Sequence, residues 1–484
     1  MRYDGVRATV MGLGTRAGGV GVARYLSEAG ARVTVTDGKP VAALAEPLAA
    51  LADLPIRFVL SGHREEDFTP VGADLVVRNP GVPRRAPLLA LARRHGLPVE
   101  MEMTLFWRAC PAPIVGVTGT KGKTTVATLC AELLRAWDPA TVLAGNMGVT
   151  ALGQLSRIAA ETPVAIELSS WQLEGLEEHR LAPRIAVLTN ISEDHLDSYD
   201  GFADYAATKR SVARHQGPDD LLVVNADDPE AWQAAAETRA RVAPFGLTDR
   251  GDDGAWRVGD RLLWRWKGQE VFFDLPATAA LAGEHNAANA LAAVAAALLR
   301  GATVDAVQAG LDRFAGVRDR MERVAEVDGV LFVNDTTATA PVAAIAALRS
   351  FAGRRVHLLA GGADKRLDLG PLASAAAHAH AVYLLDGSAT PALAALLRRE
   401  GVAPVGPFGG MAAAVGAAAA AAAAGDVVLL SPGTASFGLF QDEFDRGERF
   451  RQAVRALPER RDGAAVPGPV GQGTDATATM AVSQ

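Results

Sequence analysis

The chain has 484 residues, 49% of them hydrophobic, and a formal net charge of −7. That length is too great for one ordinary hydrophobic core, so we expect several domains. The acidic balance argues against a nucleic-acid partner, which would require a basic face. The spacing of Cys110 and Cys130 fits neither a CxxC pair nor a disulfide framework, which favours a reducing compartment.

The sequence shows no targeting or membrane signal. Its N-terminal residues lack the basic, apolar and small-residue pattern of a signal peptide. It has no apolar run of the roughly 18 or more residues that span a bilayer. The alanine-rich stretch 409–426 predicts a surface helix, because alanine favours helices and anchors weakly in lipid. We therefore expect a cytoplasmic protein without a membrane partner. We also expect a monomer.

The first predicted unit covers residues 1–101 and begins with a β-turn-α-β pattern. A strand ends in MGLG, a helix follows in VGVARYLSEAG, and RVTVTD is the second strand. Another strand, at 73–81, stops at Pro80–Gly81. The pattern starts again after the prolines of CPAPIVGVTG, which sets the boundary of this unit.

The second predicted unit, 102–316, repeats this alternation on a larger scale. PIVGVTG is a strand and TTVATLCAELLRAW a helix, with later strands in PVAIELSS, RIAVLTN and DLLVVNADD. The helix at 285–301 ends at Gly301, and its broad apolar face predicts burial on both sides.

The third predicted unit, 317–458, has strands in VLFVNDT, RVHLLAGG, AVYLLDG and DVVLLSPG, each followed by an alanine-rich helix. Residues 459–484 lose this periodicity, so we expect a disordered tail. Strands that alternate with helices predict parallel sheets covered on both faces. The fold class is therefore α/β with three domains in series: a Rossmann-like N-terminal domain, a central P-loop-type ATPase domain and a C-terminal Rossmann-like domain.

The first glycine turn, GLGTRA at 12–17, matches the dinucleotide fingerprint GxGxxG/A. Asp37 ends the next strand, where a ribose-binding acid is expected. A tight βα turn without a ligand would have the same sequence. The additional glycines that follow favour close approach of a ligand, because glycine exposes N–H groups without steric cost.

The second glycine turn, GVTGTKGKTT at 116–125, is more specific. Its GKT end is that of a phosphate loop, in which backbone amides hold phosphate oxygens, Lys123 reaches the outer phosphates and Thr124 ligates Mg²⁺. Val117 stands where the strict GxxxxGK[ST] pattern has glycine. The strand-turn-helix context still favours a nucleotide phosphate, whereas Lys121 could be a solvated loop lysine.

Two candidate metal ligands follow strands of the same unit. Glu167 comes directly after PVAI, and His195 follows the strand of RIAVLTN. Ligands of α/β proteins collect at the carboxyl edge of the sheet, so a carboxylate and an imidazole there favour Mg²⁺ beside the phosphate loop. Either residue taken alone could be structural.

Three loops of the third unit carry Thr, Ser and Lys after predicted strands. They read NDTTATAP at 334–341, GGADKRLD at 361–368 and SPGTASFG at 431–438. Such residues are also good turn formers. Three of these loops at one sheet edge favour a site for a small anionic substrate.

The ordered motifs of the chain resemble those of the Mur ligases, ATP-dependent enzymes that form amide bonds in peptidoglycan precursors. The motifs are GTKGKT at 119–124, ELSS at 167–170, Asp194-His195, YAATK ending at Lys209, GxHNxxN at 283–289, Arg320-x-Glu322 and Asn334-Asp335. The first unit, ELSSWQLE, VVNADD and the GGADK loop are most similar to the MurD-type branch, which adds glutamate to UDP-N-acetylmuramoyl-L-alanine. The resemblance covers about residues 7–457.

The resemblance implies a reaction and its cofactors. The γ-phosphoryl group of ATP would pass to the carboxylate of UDP-N-acetylmuramoyl-L-alanine, and the amine of D-glutamate would attack the acyl phosphate. Transfer between two anions needs neutralised charge and in-line positioning, which suits Lys123 and two Mg²⁺ sites. The implied metal ligands are Thr124, Glu167, His195 and a carbamate on Lys209. Carbamylation needs a neutral amine, which burial favours, although Lys209 could also be a surface cation.

The resemblance also implies which residues hold each substrate. The ATP-binding residues would be Gly119, Thr120, Lys121, Gly122, Lys123, Thr124, Thr125, His285, Asn286, Asn289, Arg320 and Asp335. The residues that bind the UDP-linked substrate would be Gly14, Thr15, Arg16, Asp37, Asn79, Gly81, Asn146 and His195. The glutamate-binding residues would be Thr339, Lys365, Ser436 and Phe437.

Two departures concern the amino-acid pocket. Where many MurD-type enzymes read Asn-Asp-Ser-Lys-Ala-Thr, this chain has NDTTAT at 334–339, so a threonine, Thr337, replaces the lysine. Gly438 stands where aspartate is usual. A related branch joins L-glutamate, and that alternative stays open here.

Two other function classes fit fewer of these motifs than a ligase does. An NAD-dependent oxidoreductase would use the first turn and Asp37, but it leaves the phosphate loop and Lys209 without a purpose. A non-catalytic module would bind ATP without hydrolysing it, and the candidate ligands Glu167 and His195 argue against that function.

Overall fold

The computed structural model describes residues 3–14, 17–146, 150–194, 199–276, 281, 283–365 and 367–458. The tail predicted to be disordered, 459–484, lies outside this set, as do Thr15, Arg16 and His195. The chain divides into two compact units, with the break between Val317 and Arg318. In the described residues, no helix is both long and apolar enough to cross a membrane.

The first sheet is parallel, and its strand order, β3-β2-β1-β4-β5, is that of a Rossmann-like half. Its strands are β1 (Arg7–Met11), β2 (Arg32–Asp37), β3 (Arg57–Leu60), β4 (Leu75–Arg78) and β5 (Val99–Glu100). Its helices are α1 (Ala17–Glu28), α2 (Ala45–Ala49), α3 (Pro87–Arg94) and α4 (Glu102–Ala109), with 3₁₀ turns at Val41–Leu44 and Glu65–Phe68. The predicted β-turn-α-β start therefore matches β1, α1 and β2.

The central sheet has the strand order β14-β13-β12-β11-β10-β9-β6-β8-β7. Its strands are β6 (Ile114–Thr118), β7 (Val142–Gly145), β8 (Val164–Glu167), β9 (Ile185–Leu188), β10 (Leu221–Asn225), β11 (Arg241–Gly246), β12 (Gly254–Val258), β13 (Arg261–Trp266) and β14 (Gln269–Asp274). Its helices are α5 (Lys123–Trp137), α6 (Ser170–Glu178), α7 (Phe202–Arg214), α8 (Pro229–Trp232), α9 (Ala234–Glu237), α10 (Glu284–Arg300) and α11 (Val304–Arg313), with a 3₁₀ turn at Leu152–Arg157.

Part of the central sheet corrects the prediction of parallel sheets. β13 runs antiparallel to both β12 and β14, whereas the strands from β7 to β12 are parallel to their neighbours. β14 is the last strand in the order, and its outer surface carries Phe272, which is partly exposed. The Arg261 guanidinium lies 5.0 Å from the centre of the Phe272 ring, and its Nε donates to Asp274 Oδ1 at 2.9 Å.

Helix α10 is buried along most of its length, as its alanine-rich sequence predicted. Its small side chains pack with α5 and the central sheet in one hydrophobic core. The opposite face of the central sheet shares a second core with the first sheet. Both faces of the central strands are therefore covered, which explains why β6, β8 and β9 are apolar runs without alternation.

The second compact unit contains a sheet with the order β15-β16-β20-β17-β18-β19, in which only β15 runs antiparallel to its neighbour. Its strands are β15 (Glu322–Val327), β16 (Val330–Asn334), β17 (Val356–Ala360), β18 (Ala381–Leu385), β19 (Val405–Phe408) and β20 (Val427–Leu430). Its helices are α12 (Pro341–Arg349), α13 (Gly370–Ala376), α14 (Thr390–Arg399), α15 (Met411–Ala421) and α16 (Glu443–Arg455). The alanine-rich α15 packs its Met411 and Val415 side on this sheet.

Candidate functional site

The phosphate loop joins β6 to α5 and requires glycine at two positions. Gly122 caps α5 with a left-handed φ of 82°, and a Cβ there would overlap Oδ1 of Asn289. Gly119 has φ of 145°, and a Cβ there would overlap the Thr189 hydroxyl. The loop backbone therefore lies directly against β9 and α10. This contact brings Asn289, predicted to bind ATP, beside the loop.

The residues after β9 hold the loop in place. Lys121 N donates to Asn190 Oδ1 at 2.8 Å, and Asn190 Nδ2 donates back to Lys121 O at 2.9 Å. Thr120 N also donates to Asn190 O at 2.8 Å. Asn190 was not among the predicted site residues, although its position just after an apolar strand was a usable signal. These hydrogen bonds fix the loop at the N-terminus of α5. The free N–H groups of a helix N-terminus favour a bound phosphate.

The two lysines of the loop have different surroundings. Lys123 Nζ donates to Thr120 O at 2.8 Å and is partly buried beside Thr124 in the first turn of α5. The Lys121 side chain is 74% exposed and pairs with Asp194 Oδ2 at 3.2 Å. Lys123 therefore folds back over the loop, while Lys121 faces solvent. Thr125 is buried in α5.

Lys209 is a buried amine behind the loop. Its side chain lies on α7, its exposure is 2%, and its Nζ donates to Thr118 Oγ1 at 3.3 Å and lies over the Tyr205 ring. Burial lowers the pKa of Lys209 well below its usual value, and the charge of Lys123 lowers it further, while Glu167 and Asp194 oppose the shift. The alternative of a surface cation is therefore wrong. A neutral amine at this position can react with CO₂.

Glu167 offers a buried carboxylate oxygen at the same sheet edge. It ends β8, in register with Val117 of β6, and Asn146 Nδ2 donates to its Oε1 at 3.2 Å. Oε2 is buried and receives no hydrogen bond from the described residues. A buried carboxyl oxygen without a hydrogen-bond donor is suited to a cation, so Glu167 fits the proposed Mg²⁺ ligand.

The full ligand set of a metal cannot be assembled from the described residues alone. In those residues, no group of three or more His, Cys, Asp or Glu side chains is arranged to hold a metal ion. His195, predicted as a ligand, lies outside them. The oxygen donors at this edge are the Glu167 carboxylate and the Thr124 hydroxyl. A carbamate on Lys209 would add oxygens close to the charge of Glu167.

Helix α10 places the remaining ATP candidates of the central sheet together. Asn289 Nδ2 donates to Asn286 Oδ1 at 3.3 Å, one turn along the helix. His285 is exposed in the first turn of α10. His285, Asn286 and Asn289, all predicted to bind ATP, therefore lie in the first two turns of the helix that contacts Gly122 of the phosphate loop.

The first glycine turn is braced by Asp37. Gly14 N donates to Asp37 Oδ2 at 3.0 Å, and Lys39 N donates to Oδ1 at 2.9 Å, in a buried position. Asn79 lies against this turn, and its Oδ1 accepts from Gly81 N at 3.1 Å. One oxygen of Asp37 thus accepts from the first glycine turn and the other from Lys39 after β2, so Asp37 has a bracing role beside the predicted ligand contact.

The loops that follow the strands of the compact unit beginning at Arg318 lie side by side. Ala363 and Ala435 exchange backbone hydrogen bonds of 2.9 and 3.1 Å, and Gly433 N donates to Ala338 O at 2.8 Å. Lys365 Nζ donates to Thr339 Oγ1 at 2.8 Å, so two predicted glutamate ligands are in contact.

The other two glutamate candidates differ in exposure. Ser436 Oγ is buried without a hydrogen-bond partner in the described part of the chain, and Phe437 is 54% exposed. A buried hydroxyl without a partner is a donor for an anion, whereas the Phe437 side chain offers an apolar surface.

Asp335, predicted to bind ATP, is buried after β16. Its Oδ2 accepts from Ser431 Oγ at 2.8 Å and its Oδ1 from Met321 N at 3.1 Å. Desolvation raises the pKa of this carboxyl to about 6, while the hydrogen bonds and the exposed Arg320 oppose the shift.

Arg446 is a buried guanidinium that the sequence analysis did not single out. Its Nε donates to Thr336 Oγ1 at 2.9 Å, and its terminal nitrogens donate to Thr336 O at 2.8 Å and Thr434 O at 3.4 Å. Burial lowers its pKa to about 10, against the charge of Glu443. It ties two of the strand-end loops to α16. The contact spans 110 positions of sequence, so no local pattern could reveal it.

Three stretches of the chain match descriptions of one family. Residues 6–100 match the "Mur ligase MurD-like, N-terminal domain", 117–297 the "Mur ligase middle domain" and 319–433 the "Mur ligase, glutamate ligase domain". The chain is 48% identical to a UDP-N-acetylmuramoylalanine--D-glutamate ligase of a Roseiflexus species, over 94% of this chain and 100% of that one. A protein of the same name from Symbiobacterium thermophilum is 40% identical over 93% and 98% of the two chains.

Solved structures share the fold at lower identity. UDP-N-acetylmuramate-alanine ligase of Thermotoga maritima is 19% identical with a TM-score of 0.56, covering 93% of this chain and 99% of that one. A murein peptide ligase of Psychrobacter arcticus is 18% identical with a TM-score of 0.51, covering 94% and 100%. These neighbours support three α/β domains in series.

Proposed function

Because the chain belongs to the Mur ligase family of ATP-dependent, amide-forming ligases, we propose that it joins D-glutamate to UDP-N-acetylmuramoyl-L-alanine. The relatives with 48% and 40% identity, matched over nearly their whole length, carry the name of that activity. Their names specify the D-isomer, which favours it over the L-glutamate alternative. An oxidoreductase would need no phosphate loop, so that alternative is set aside.

One observation of the structure supports this function most strongly. The buried oxygen of Glu167 and the buried amine of Lys209 both lie at the sheet edge that carries the phosphate loop. A nucleotide-binding module that does no chemistry would have no need to bury either group. Together with Lys123 they form a site in which anionic phosphates meet cations and a carboxylate acceptor can approach.

The reaction uses two displacement steps. An oxygen of the alanyl carboxylate attacks the γ-phosphorus of ATP, the bond to the β-phosphate bridging oxygen breaks, and ADP leaves. The glutamate nitrogen then attacks the acyl carbon, phosphate leaves with the bonding electrons, and the nitrogen loses a proton as the amide forms. Lys123 neutralises the transferring phosphoryl group, and the α5 amides orient it.

Mg²⁺ is assigned to the Glu167 edge. The residues that would hold two Mg²⁺ ions are Thr124, Glu167, His195 and the carbamate of Lys209, and the ions would offset the charge of the phosphate oxygens when bound. We assign the carbamate because a neutral, buried Lys209 amine beside cationic Lys123 reacts readily with CO₂ and then carries a negative charge that the cations stabilise.

The substrates are assigned to the three domains as follows. We propose that residues 1–101 bind the UDP-linked substrate through the first glycine turn and Asn79–Gly81, with Asn146 of the central domain. Residues 102–316 would bind ATP through the phosphate loop and Asn289. Residues 317–458 would bind glutamate through Lys365, Thr339 and Ser436, and the ATP ribose through Asp335. We also propose that the protein is a monomer and that the reaction takes place in the cytoplasm, where ATP and UDP-linked substrates are available.

The test of this function is phosphate release by the purified full-length protein. We expect release only when ATP, Mg²⁺, UDP-N-acetylmuramoyl-L-alanine and D-glutamate are all present, with the amide product seen by mass spectrometry. Replacing D-glutamate with L-glutamate should give no product. An unchanged rate after omission of any one component would contradict the mechanism, and equal rates with both isomers would contradict the assigned stereochemistry.

The rival class requires a separate control. NADH and a small oxidisable substrate should give no change in absorbance at the nicotinamide band. Turnover in that assay would reject the ligase assignment even if ATP also bound.

A further inference from the structure

One ion pair between the first and central sheets differs from its neighbours in burial. Arg78 and Glu174 are 2% and 7% exposed, and NH2 of the arginine lies 2.6 Å from the Glu174 Oε2. Arg93 and Glu178, on the same two sides, are 33% and 37% exposed. Exposed pairs contribute little to stability, whereas losing one partner of a buried pair strands a charge.

Arg78 also closes the turn that follows β4. Its NH1 donates to Val82 O at 3.0 Å, and Val82 N donates to Asn79 O at 2.9 Å. One guanidinium therefore fixes the turn at 79–82 and reaches across to the central domain. A lysine has only one nitrogen at its end and is less suited to bridge these two acceptors.

The turn at 79–82 packs directly on the first glycine turn. A Cβ on Gly12 would lie 3.0 Å from a methyl carbon of Val82 and 3.1 Å from Cβ of Asn79. Within the turn, Asn79 Oδ1 accepts a hydrogen bond from Gly81 N. The position of the turn thus determines the shape of the region assigned above to the UDP-linked substrate.

Glu174 connects this turn to the catalytic edge. It lies on α6, which begins at Ser170, three residues after Glu167. Ser169 and Gln172 form a capping box at the helix start, with bonds of 2.8 and 3.3 Å. The helix is therefore a stiff link between the buried ion pair and Glu167.

We propose that Arg78 and Glu174 are positioning residues that hold the 79–82 turn, and with it the UDP-linked substrate, in register with Glu167 and the phosphate loop. The proposal rests on the proposed function. Neither residue touches the reacting atoms; they act through the turn and through α6. A displacement of about 1 Å at a reacting carboxylate can cost a large factor in rate.

The test compares Arg78→Met with a matched variant, Arg93→Met, which breaks a half-exposed pair with the same helix. We expect Arg78→Met to raise KM for UDP-N-acetylmuramoyl-L-alanine about tenfold or more and to lower kcat, with KM for ATP within about twofold of wild type. Arg93→Met should keep all three KM values within about twofold. Arg78→Lys should lie between the wild type and Arg78→Met.

Glu174→Gln provides a second variant if Arg78→Met does not fold. It keeps the shape and one hydrogen bond but removes the charge, and the same selective rise in KM is expected. Equal changes in KM for all three substrates, or no change in either variant, would overturn the proposal. A wild-type protein that makes no product would instead reject the proposed function, so the two failures are distinct.

Discussion

The first glycine turn and the phosphate loop have the same strand-turn-helix form but are braced by opposite chemistry. Asp37, a carboxylate, accepts hydrogen bonds from Gly14 N of the first turn and from Lys39 N after β2. The phosphate loop is clamped by the neutral amide of Asn190 and is backed by the buried amine of Lys209. Gly14 N of the first turn is therefore occupied by Asp37, whereas the N-terminal amides of α5 remain available to a phosphate. Two similar glycine patterns therefore predict different ligands once their bracing groups are known.

The largest effect expected from this comparison is in the phosphate loop. Lys123→Ala removes the cation that neutralises the transferring phosphoryl group, so kcat should fall about a thousandfold. The rate of phosphate release with all substrates saturating measures this. Lys121→Ala, which removes an exposed lysine of the same loop, is the control and should cost far less. Similar losses in both variants would erase the distinction between the two lysines.

Glycine substitution compares the backbones of the two turns. Gly122→Ala introduces a Cβ that overlaps Asn289 at a φ of 82°, so the free energy of unfolding should fall by about 3 kcal/mol. Gly14→Ala has a φ of 65° but its nearest neighbour lies at 3.5 Å, so the loss should be about 1 kcal/mol. Chemical denaturation of both variants measures the difference. Equal losses would show that the overlap with Asn289 does not matter.

Substitution of Lys209 tests the carbamate proposed beside the phosphate loop. Lys209→Ala should reduce kcat about a hundredfold, because a carbamate oxygen beside the metal site is lost. Acetate or propionate in the assay should partly restore activity by supplying a carboxylate. Lys209→Met, which fills the space without an amine, should respond in the same way. Full activity of either variant without added carboxylate would exclude the carbamate.

Asp335, the acid that follows β16, gives a prediction about how stability changes with pH. Its pKa is raised from 3.8 to about 6, so its protonated form stabilises the fold below pH 3.8 and that contribution is lost as the pH rises through about 6. Between pH 4 and pH 7 the wild type should lose about 2 kcal/mol relative to Asp335→Asn, which does not titrate. Thermal unfolding of both proteins across this range gives the difference. Parallel pH profiles would contradict the raised pKa.

The smallest effect is expected in the brace of the first turn. Asp37→Asn keeps one acceptor oxygen but places an amide group opposite the other N–H donor, so unfolding should become easier by about 1 kcal/mol. KM for the UDP-linked substrate should rise by a few fold and KM for ATP should not change. Initial-rate kinetics with each substrate varied in turn measure the two KM values. A larger rise in the ATP value would place Asp37 outside the UDP-substrate site.

Local sequence patterns predicted the elements that position the site. The strand PIVGVTG and the helix that starts at the GKT end match β6 and α5, and the stop at Pro80–Gly81 matches the end of β4. These elements are continuous apolar runs that end at glycine or proline, so a short stretch of sequence is enough to predict them. The antiparallel strands β12 to β14 were not predicted, although GD and KG turns between alternating residues mark them.

The parts that sequence could not supply depend on contacts between distant residues. Arg78 pairs with Glu174 across 96 positions, and Arg446 reaches Thr336 across 110. Lys209 was placed in the site only by family resemblance, because its neighbours in YAATKR look like an ordinary exposed helix. Burial of a charged residue is decided by packing of whole elements, which no local pattern reports.

The antiparallel extension of the central sheet has a consequence for the handling of the protein. β14 is an edge strand, and edge strands offer unpaired backbone groups on which a second chain can add. Arg261 covers Phe272 and pairs with Asp274, so cationic and anionic side chains guard this edge against intermolecular β-pairing. Neutral replacements at these positions would therefore affect solubility and refolding yield while leaving ligation intact.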